Sequence, residues 1–66
     1  MTQKRPLATI HEVSAYLGIP IPTLYAWRLK GTGPRASKVG RHLRFRWSDV
    51  EEWLDRQADA AERRDA

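Results

Sequence analysis

The chain has 66 residues and no cysteine, so it can form at most one small domain, without disulfides or a thiolate-bound metal to stabilise it. Its formal net charge of +4 is divided unevenly, with +1 over residues 1–27, +7 over residues 28–46 and −4 over residues 47–66. No apolar run is long enough to span a bilayer, and residues 1–6 lack the apolar stretch of a signal peptide, so we expect a soluble protein with no membrane partner.

The first predicted helix covers residues 9–17. Thr9 is followed three residues later by Glu12, which is the spacing of a capping box at the start of a helix. Gly18 is expected to end this helix, and residues 1–8 to form a flexible N-terminal arm ahead of it. The apolar positions share one helical face: Ile10, Val13, Tyr16 and Leu17.

A second helix is predicted over residues 21–30, with Gly31 at its end. Leu24 and Trp27 mark its inner face. Two short helices joined by a tight turn that opens with a glycine are typical of a helix-turn-helix. In that motif the second helix, the recognition helix, enters the major groove of duplex DNA.

Residues 37–45 alternate between apolar and basic side chains and predict a two-stranded wing with Gly40 between its halves. One face is expected to carry Ser37, Val39, Leu43 and Phe45. The other is expected to carry Lys38, Arg44 and Arg46.

Two turn lengths are compatible with this wing. A two-residue turn of Gly40 and Arg41 pairs Val39 with His42 and brings a lysine onto the apolar face. A three-residue tip that also includes His42 pairs Val39 with Leu43 and keeps every cation on the outer face. We favour the three-residue tip.

Ser48 is expected to open a last helix, because Glu51 follows at the capping-box spacing. Residues 59–66 have no apolar anchor and are expected to fray. The inner face comprises Val50, Trp53, Leu54 and either Gln57 or Ala58. The predicted fold is therefore mainly α with a small β-hairpin, a winged helix-turn-helix whose domain covers residues 9–58.

The outer face of the recognition helix offers few hydrogen-bonding groups. With Leu24 and Trp27 inward, its residues are Pro22, Tyr25, Ala26 and Leu29, flanked by Thr23 and Lys30. No Arg, Asn or Gln is placed for a bidentate contact with a base. We expect readout by Thr23, by the Tyr25 hydroxyl, and by apolar contact of Ala26 or Pro22 with thymine methyl groups, with weak discrimination between bases. The alternative is that this face packs against another protein.

The segment from residue 28 to residue 46 contains seven cations and no carboxylate, which favours contact with a polyanion. Arg41 at the tip of the wing is expected to enter a minor groove, with His42 beside it. The remaining cations suit phosphates: Arg28, Lys30, Arg35, Lys38, Arg44 and Arg46. A solvated basic face without a ligand is the alternative.

Catalysis and metal binding have no supporting pattern. His11 and His42 belong to separate elements, and no cysteine or clustered carboxylate joins them. No serine has the base and acid partners of a nucleophile. We therefore predict a protein that is not an enzyme, with no catalytic residue, no metal site, no cofactor and no small-molecule ligand.

Nearly three quarters of the chain, residues 7–54, follows one known pattern in unbroken order. Its motifs are Ile10-His11-Glu12-Val13, Tyr16-Leu17-Gly18-Ile19, Thr23-Leu24-Tyr25-Ala26-Trp27-Arg28, Gly33-Pro34, Lys38-Val39-Gly40-Arg41, Leu43-Arg44-Phe45 and Ser48-Asp49-Val50-Glu51-Glu52-Trp53-Leu54. On these motifs the chain resembles the small excisionase-type helix-turn-helix domains, relatives of the DNA-binding half of MerR regulators. The resemblance implies duplex DNA as the ligand and Arg41 and Arg44 as binding residues. Ala26 and the segment Pro20-Ile21-Pro22 depart from the family, which often has basic residues there.

The resemblance implies one of two roles. An excisionase, or recombination directionality factor, binds repeated sites beside an attachment site, bends the DNA and helps a tyrosine integrase to excise an integrated element. A small MerR-like transcriptional regulator of a phage or mobile element is the alternative. Because the domain carries no effector-binding half, we expect the first role, with several copies side by side on the DNA. The expected partners are double-stranded DNA, a tyrosine integrase and further copies of the chain, in the bacterial cytoplasm and on the nucleoid when bound.

Overall fold

The computed structural model describes the backbone of residues 6–65 and the side chains of residues 6–61. The elements follow in the order β1 (Ala8–Thr9), α1 (Ile10–Leu17), α2 (Ile21–Lys30), β2 (Ser37–Val39), β3 (His42–Phe45) and α3 (Trp47–Asp65). Helix, turn, helix, hairpin and helix in this order confirm the predicted winged helix-turn-helix. In the described part of the chain, no helix combines the length and the apolar character needed to cross a bilayer.

The start of α1 is closed by the predicted capping box. The Glu12 backbone N–H donates to Thr9 Oγ1 at 3.1 Å, and the Thr9 N–H donates to Glu12 Oε1 at 2.9 Å. The helix ends at Gly18, whose φ of +71° is a left-handed conformation that glycine adopts without strain. Ser14 Oγ then donates to the carbonyl oxygen of Ile19 at 2.6 Å. This bond fixes the turn that leads into the second helix.

The recognition helix α2 has the bounds that the sequence predicts. Pro20 precedes it in an extended conformation, and Pro22 occupies its first turn, where a missing N–H has no intrahelical partner to lose. The N–H groups of Thr23 and Leu24 donate to the Pro20 carbonyl oxygen at 3.0 and 3.2 Å. Gly31 ends the helix with a φ of +73°.

The sheet has three antiparallel strands in the order β1-β3-β2, one strand more than predicted. Ala8 pairs with Phe45, and the Ala8 side chain is fully buried. The last residue of the predicted flexible arm, residues 1–8, therefore belongs to the sheet and to the core. Residues 1–5 of that arm lie outside the described part of the chain.

The favoured three-residue tip of the wing is wrong. Val39 pairs with His42 across a two-residue turn of Gly40 and Arg41. Gly40 has a φ of +64°, and in the described residues only glycines have a positive φ, so the turn matches type II′. A three-residue tip would place His42 in the left-handed conformation, which costs a non-glycine residue about 1–2 kcal/mol.

Compared with the predicted three-residue tip, the two-residue turn shifts the pairing of β2 with β3 by one residue. Each side chain of β2 therefore lies on the face of the sheet opposite to the one predicted. Ser37 pairs with Arg44, so Ser37 and Val39 lie on the outer face of the sheet and not toward the core, as predicted. Lys38 pairs with Leu43 on the inner side, but it remains exposed because β2 is an edge strand.

The second predicted capping box does not form, because α3 begins at Trp47, two residues earlier than a cap at Ser48 would require. The N–H groups of Asp49 and Val50 donate to the Arg46 carbonyl oxygen at 3.0 and 3.1 Å. Ser48 is thus the second residue of the helix and cannot be its N-cap. The helix also continues to Asp65 beyond the expected fraying at residue 59, through a stretch rich in alanine and charged residues that favour helices.

The core lies between the sheet and the three helices. Its buried side chains are Ala8, Ile10, Val13, Leu24, Phe45, Val50 and Trp53. Other helix residues predicted inward are instead on the surface: Tyr16 is 52% exposed, Leu54 is 36% exposed, and both Gln57 and Ala58 are exposed because α3 extends past the core there. The ring of Tyr16 packs edge-on against Trp47, with centroids 5.4 Å apart.

The loop between α2 and the wing is fixed from two sides. Trp53 Nε1 on α3 donates to the Thr32 carbonyl oxygen at 2.9 Å, and its ring lies 5.5 Å from that of Trp27. Gly33 approaches Trp27 so closely that an added Cβ would lie 3.0 Å from the Trp27 Cβ. The two tryptophans therefore set where the wing starts relative to the recognition helix.

Candidate nucleic-acid interface

The outer face of α2 carries the residues that the sequence predicts there. Pro22 and Ala26 are exposed, Tyr25 is 49% exposed and Leu29 is 85% exposed. At 100° per residue these four positions form one stripe about 100° wide. We name it the apolar stripe.

The flanks of α2 are polar or basic. Thr23 is half-buried and Lys30 exposed on one flank, and Arg28 is exposed on the other. α2 therefore presents an apolar centre between cations.

The two-residue turn places Arg41 at the tip of the wing, where its side chain is exposed. His42, the first residue of β3, is exposed beside it. Type II′ turns follow the natural twist of the two strands, so the tip continues the line of the wing. This geometry suits insertion of Arg41 into a groove.

Arg44 lies on the central strand, on the outer face of the sheet, between Thr9 of β1 and Ser37 of β2. Its Nη1 donates to the Leu43 carbonyl oxygen at 3.0 Å. A guanidinium has five N–H donors, so this bond orients the group and leaves further donors for a phosphate. The sequence identifies Arg44 but not its two hydroxyl neighbours, because β1 is too short to produce a recognisable pattern.

Lys38 and Arg46 are exposed, but they do not share one face with Arg44 as predicted. Lys38 projects from the inner side of the edge strand, and Arg46 lies between β3 and α3. Cations therefore surround the wing.

Arg28 and Arg35 lie in an open groove of about 700 Å³ between the end of α2, the following loop and α3. Asp49 and Glu52 line the same groove, as do Arg56 and several loop residues. The two arginines are thus brought together with carboxylates. A phosphate there would meet a weaker positive potential than one at the wing.

A family model described as a helix-turn-helix domain matches residues 9–58, three quarters of the chain. The chain belongs to this helix-turn-helix domain family. The match begins at Thr9, the N-cap of α1, and ends at Ala58 within α3. It includes both helices of the motif and the wing. No curated protein matches the chain significantly.

Membership of the helix-turn-helix domain family supports binding to double-stranded DNA. In helix-turn-helix proteins the second helix of the motif is the one that reads base edges, so α2 remains the predicted reading helix. The individual DNA-contacting residues remain predictions. The geometry divides them among the apolar stripe and the flanks of α2, the cations of the wing, and the groove that contains Arg28 and Arg35.

The exposed surface of α3 in this helix-turn-helix domain is mainly acidic. Glu51, Glu52, Asp55 and Asp59 on α3 are exposed. Glu52 is paired with Arg56 at 3.7 Å, an exposed pair of the kind that contributes little to stability. The domain is therefore electrically asymmetric, and an approaching polyanion orients it with the wing forward.

Proposed function

We propose that the protein binds duplex DNA as an architectural factor of the excisionase type. In this role it bends the DNA beside an attachment site and directs a tyrosine integrase toward excision in a bacterial cell. The observation that carries the proposal is the contrast within the interface. Six of the seven cations in residues 28–46 are exposed, whereas the outer stripe of the recognition helix offers no guanidinium or amide group to a base.

Such a surface derives most of its affinity from phosphates. Each neutralised phosphate releases condensed counterions, which gives binding without strong dependence on sequence. Weak base readout in a single copy suits a protein that acts through DNA shape, because neighbouring copies on tandem sites multiply small preferences.

The opposite charges of the wing and of α3 support assembly of several copies. The exposed carboxylates of α3 in one copy are complementary to the basic wing of the next when both lie on one duplex. The assembly would be directional, since the acidic and basic surfaces are different patches.

Fluorescence anisotropy across a salt series tests the DNA-binding step. We expect log K to fall with log salt at a slope near −5, by the rule of about −0.9 per phosphate for six phosphates. Arg44→Ala, which removes one of the six cations assigned to phosphates, should reduce the slope by about 1, and Arg56→Ala, which removes the same charge from α3, should leave it unchanged. Absence of binding to any duplex at low salt would refute the DNA proposal.

A reconstituted recombination assay tests the role. With a tyrosine integrase and a duplex carrying both of its attachment sites, we expect the protein to stimulate excision. We also expect it to shift the mobility of circularly permuted fragments as bent DNA does. Binding without any effect on excision, but with repression of a neighbouring promoter, would favour the transcriptional regulator instead.

A further inference from the structure

The apolar stripe of α2 is an unusual surface for a domain this small. Its four residues, Pro22, Tyr25, Ala26 and Leu29, extend over about 10 Å of helix, roughly three base pairs of duplex. Leu29 near the middle of its width is 85% exposed, the most exposed of the large apolar side chains in the described residues. Single exposed leucines are ordinary, but a contiguous stripe on a binding helix indicates a ligand with apolar groups.

The charges around the stripe favour DNA over a protein as that ligand. Arg28 and Lys30 flank it on α2, and the carboxylates of the groove beside Arg28, Asp49 and Glu52, come from α3 and not from the helix that carries the stripe. The apolar groups that a major groove offers are the C5-methyl groups of pyrimidines. A stripe bordered by cations places apolar side chains on these methyl groups while the cations reach the phosphates on either side.

We infer that the recognition helix selects DNA by pyrimidine C5-methyl groups, with Leu29 as a specificity-determining residue, and that 5-methylcytosine can replace thymine in the site. The inference rests on the proposed DNA binding and names the chemical feature that is read. It adds Leu29, whose side chain has no polar atom, to the residues expected to contact bases.

The replacement of thymine by 5-methylcytosine follows from the polar groups beside the stripe. Thymine presents an O4 acceptor, and 5-methylcytosine presents an N4 donor at the same edge. The hydroxyls of Thr23 and Tyr25 can donate or accept, so they tolerate this exchange, whereas a guanidinium or an amide in fixed orientation would not. The methyl group is then the feature that both bases share.

The test begins with selection of bound duplexes from a random pool, which should enrich thymines in a block of about three base pairs. The enriched duplex is then synthesised with uracil in place of single thymines, which removes only the methyl group. We expect the dissociation constant to rise about fourfold for each contacted methyl, the factor for one buried methylene-sized group. Uracil outside the protected footprint is the control and should change nothing.

A second series replaces the same T·A pair by C·G and by 5-methylcytosine·G. Cytosine should weaken binding, and 5-methylcytosine should restore most of the loss. If uracil binds as well as thymine at every enriched position, the methyl inference is overturned, while the proposed DNA binding survives. If no duplex binds even at low salt, both fail.

Two variants separate the stripe from the wing. Leu29→Ala should remove the uracil penalty at one position, and its high exposure in the wild type makes a folding defect unexpected. Arg41→Ala should weaken thymine and uracil duplexes by the same factor. If Leu29→Ala leaves every DNA affinity unchanged but dissociates a dimer in sedimentation experiments, the stripe is a protein interface and the inference is refuted.

Discussion

Trp53 connects the last helix to the loop that follows the recognition helix. Its indole Nε1 donates to the Thr32 carbonyl oxygen at 2.9 Å, and its side chain is 8% exposed. The ring also packs on Trp27 of α2, with centroids 5.5 Å apart. The side chain of Trp53 thus holds α3 both to the loop, through the hydrogen bond, and to the recognition helix, through the ring contact. A smaller side chain would not reach both partners.

We expect Trp53→Phe to lower the free energy of unfolding by about 1–3 kcal/mol, because it removes this hydrogen bond and part of a buried ring. Urea denaturation followed by circular dichroism measures the change. Tyr16→Phe is the matched control, since it removes an exposed hydrogen bond of 3.3 Å to Glu51 and should stay within about 0.5 kcal/mol. Equal effects of the two substitutions would contradict the role assigned to Trp53.

At the scale of elements, the two capping-box patterns have different outcomes. Thr9 and Glu12 form both reciprocal bonds, whereas Ser48 lies inside the first turn of α3. The spacing is the same in both, so the pattern alone cannot separate them. The difference is the chain path: β3 ends at Phe45, and Arg46 alone turns the chain into the helix by accepting the first N–H groups at its carbonyl.

Thr9→Ala should therefore lower the free energy of unfolding by about 1 kcal/mol, through loss of the side-chain acceptor for the Glu12 N–H. Ser48→Ala should change it by less than about 0.5 kcal/mol, since alanine is a good helix former and no cap is removed. Thermal or urea unfolding distinguishes the two. A large loss for Ser48→Ala would show that α3 starts at the serine in solution.

The wing offers a second test at this scale, because its register depends on Gly40. Replacement by L-alanine at a φ of +64° should cost about 1–2 kcal/mol. Replacement by D-alanine, accessible by chemical synthesis of the 66-residue chain, should raise stability by about 0.5 kcal/mol, because it favours a positive φ and restricts the unfolded chain. Similar stabilities for the two peptides would argue against the two-residue turn.

These elements show which parts of the fold can be predicted from the sequence. The bounds of α2, and the cap and end of α1, were predictable because glycine, proline and Thr9 act locally at each end. The wing register was not, because binary patterning favoured an inward Val39 while the backbone preference of Gly40 favoured the shorter turn, and the turn prevailed. β1 was missed because two residues carry no periodicity. The exposure of Tyr16 was missed because this residue lies at the margin of the apolar face of α1, where an apolar pattern does not distinguish a buried from an exposed side chain.

For the candidate site, the exposed face of the recognition helix was predictable, because the inward positions of Leu24 and Trp27 determine which residues of the helix point outward. The surroundings of Arg28 and Arg35 were not, because the carboxylates that share their groove come from α3, about 20 residues away along the chain. Only packing brings Asp49 and Glu52 to these arginines. Charge counted along the sequence therefore overstates the positive potential at that end of α2.

At the scale of the whole molecule, basic and acidic surfaces lie on different elements. The wing and α2 carry most of the cations, and the exposed carboxylates lie on α3 except for Glu12 on α1. On a duplex, the field of the phosphates attracts the first surface and repels the second. If copies assemble side by side, the same carboxylates have a second role, which is to attract the basic wing of the neighbouring copy. The cations of the bound copies neutralise the phosphates nearby, so repulsion between these carboxylates and the DNA is weaker there.

Neutralising these carboxylates should therefore change single-site and multi-site binding in opposite directions. With Glu52→Gln and Asp55→Asn combined, we expect tighter binding to a short duplex that holds one copy, because repulsion from the phosphates falls. On a longer duplex with tandem sites, the stepwise binding constants should lose their cooperativity, because the acidic partner of the neighbouring wing is removed. Anisotropy and gel-shift titrations on the two duplexes measure both effects, which should diminish as salt screens the charges.

Arg56→Gln supplies the control, since it alters charge on the same helix in the opposite sense. It should weaken single-site binding slightly or leave it unchanged, without reducing cooperativity. Because Glu52 and Arg56 form only an exposed pair, none of these substitutions should change the unfolding free energy by more than about 0.5 kcal/mol. Tighter single-site binding with intact cooperativity would mean that α3 only repels DNA, and that copies on tandem sites contact one another through a different surface.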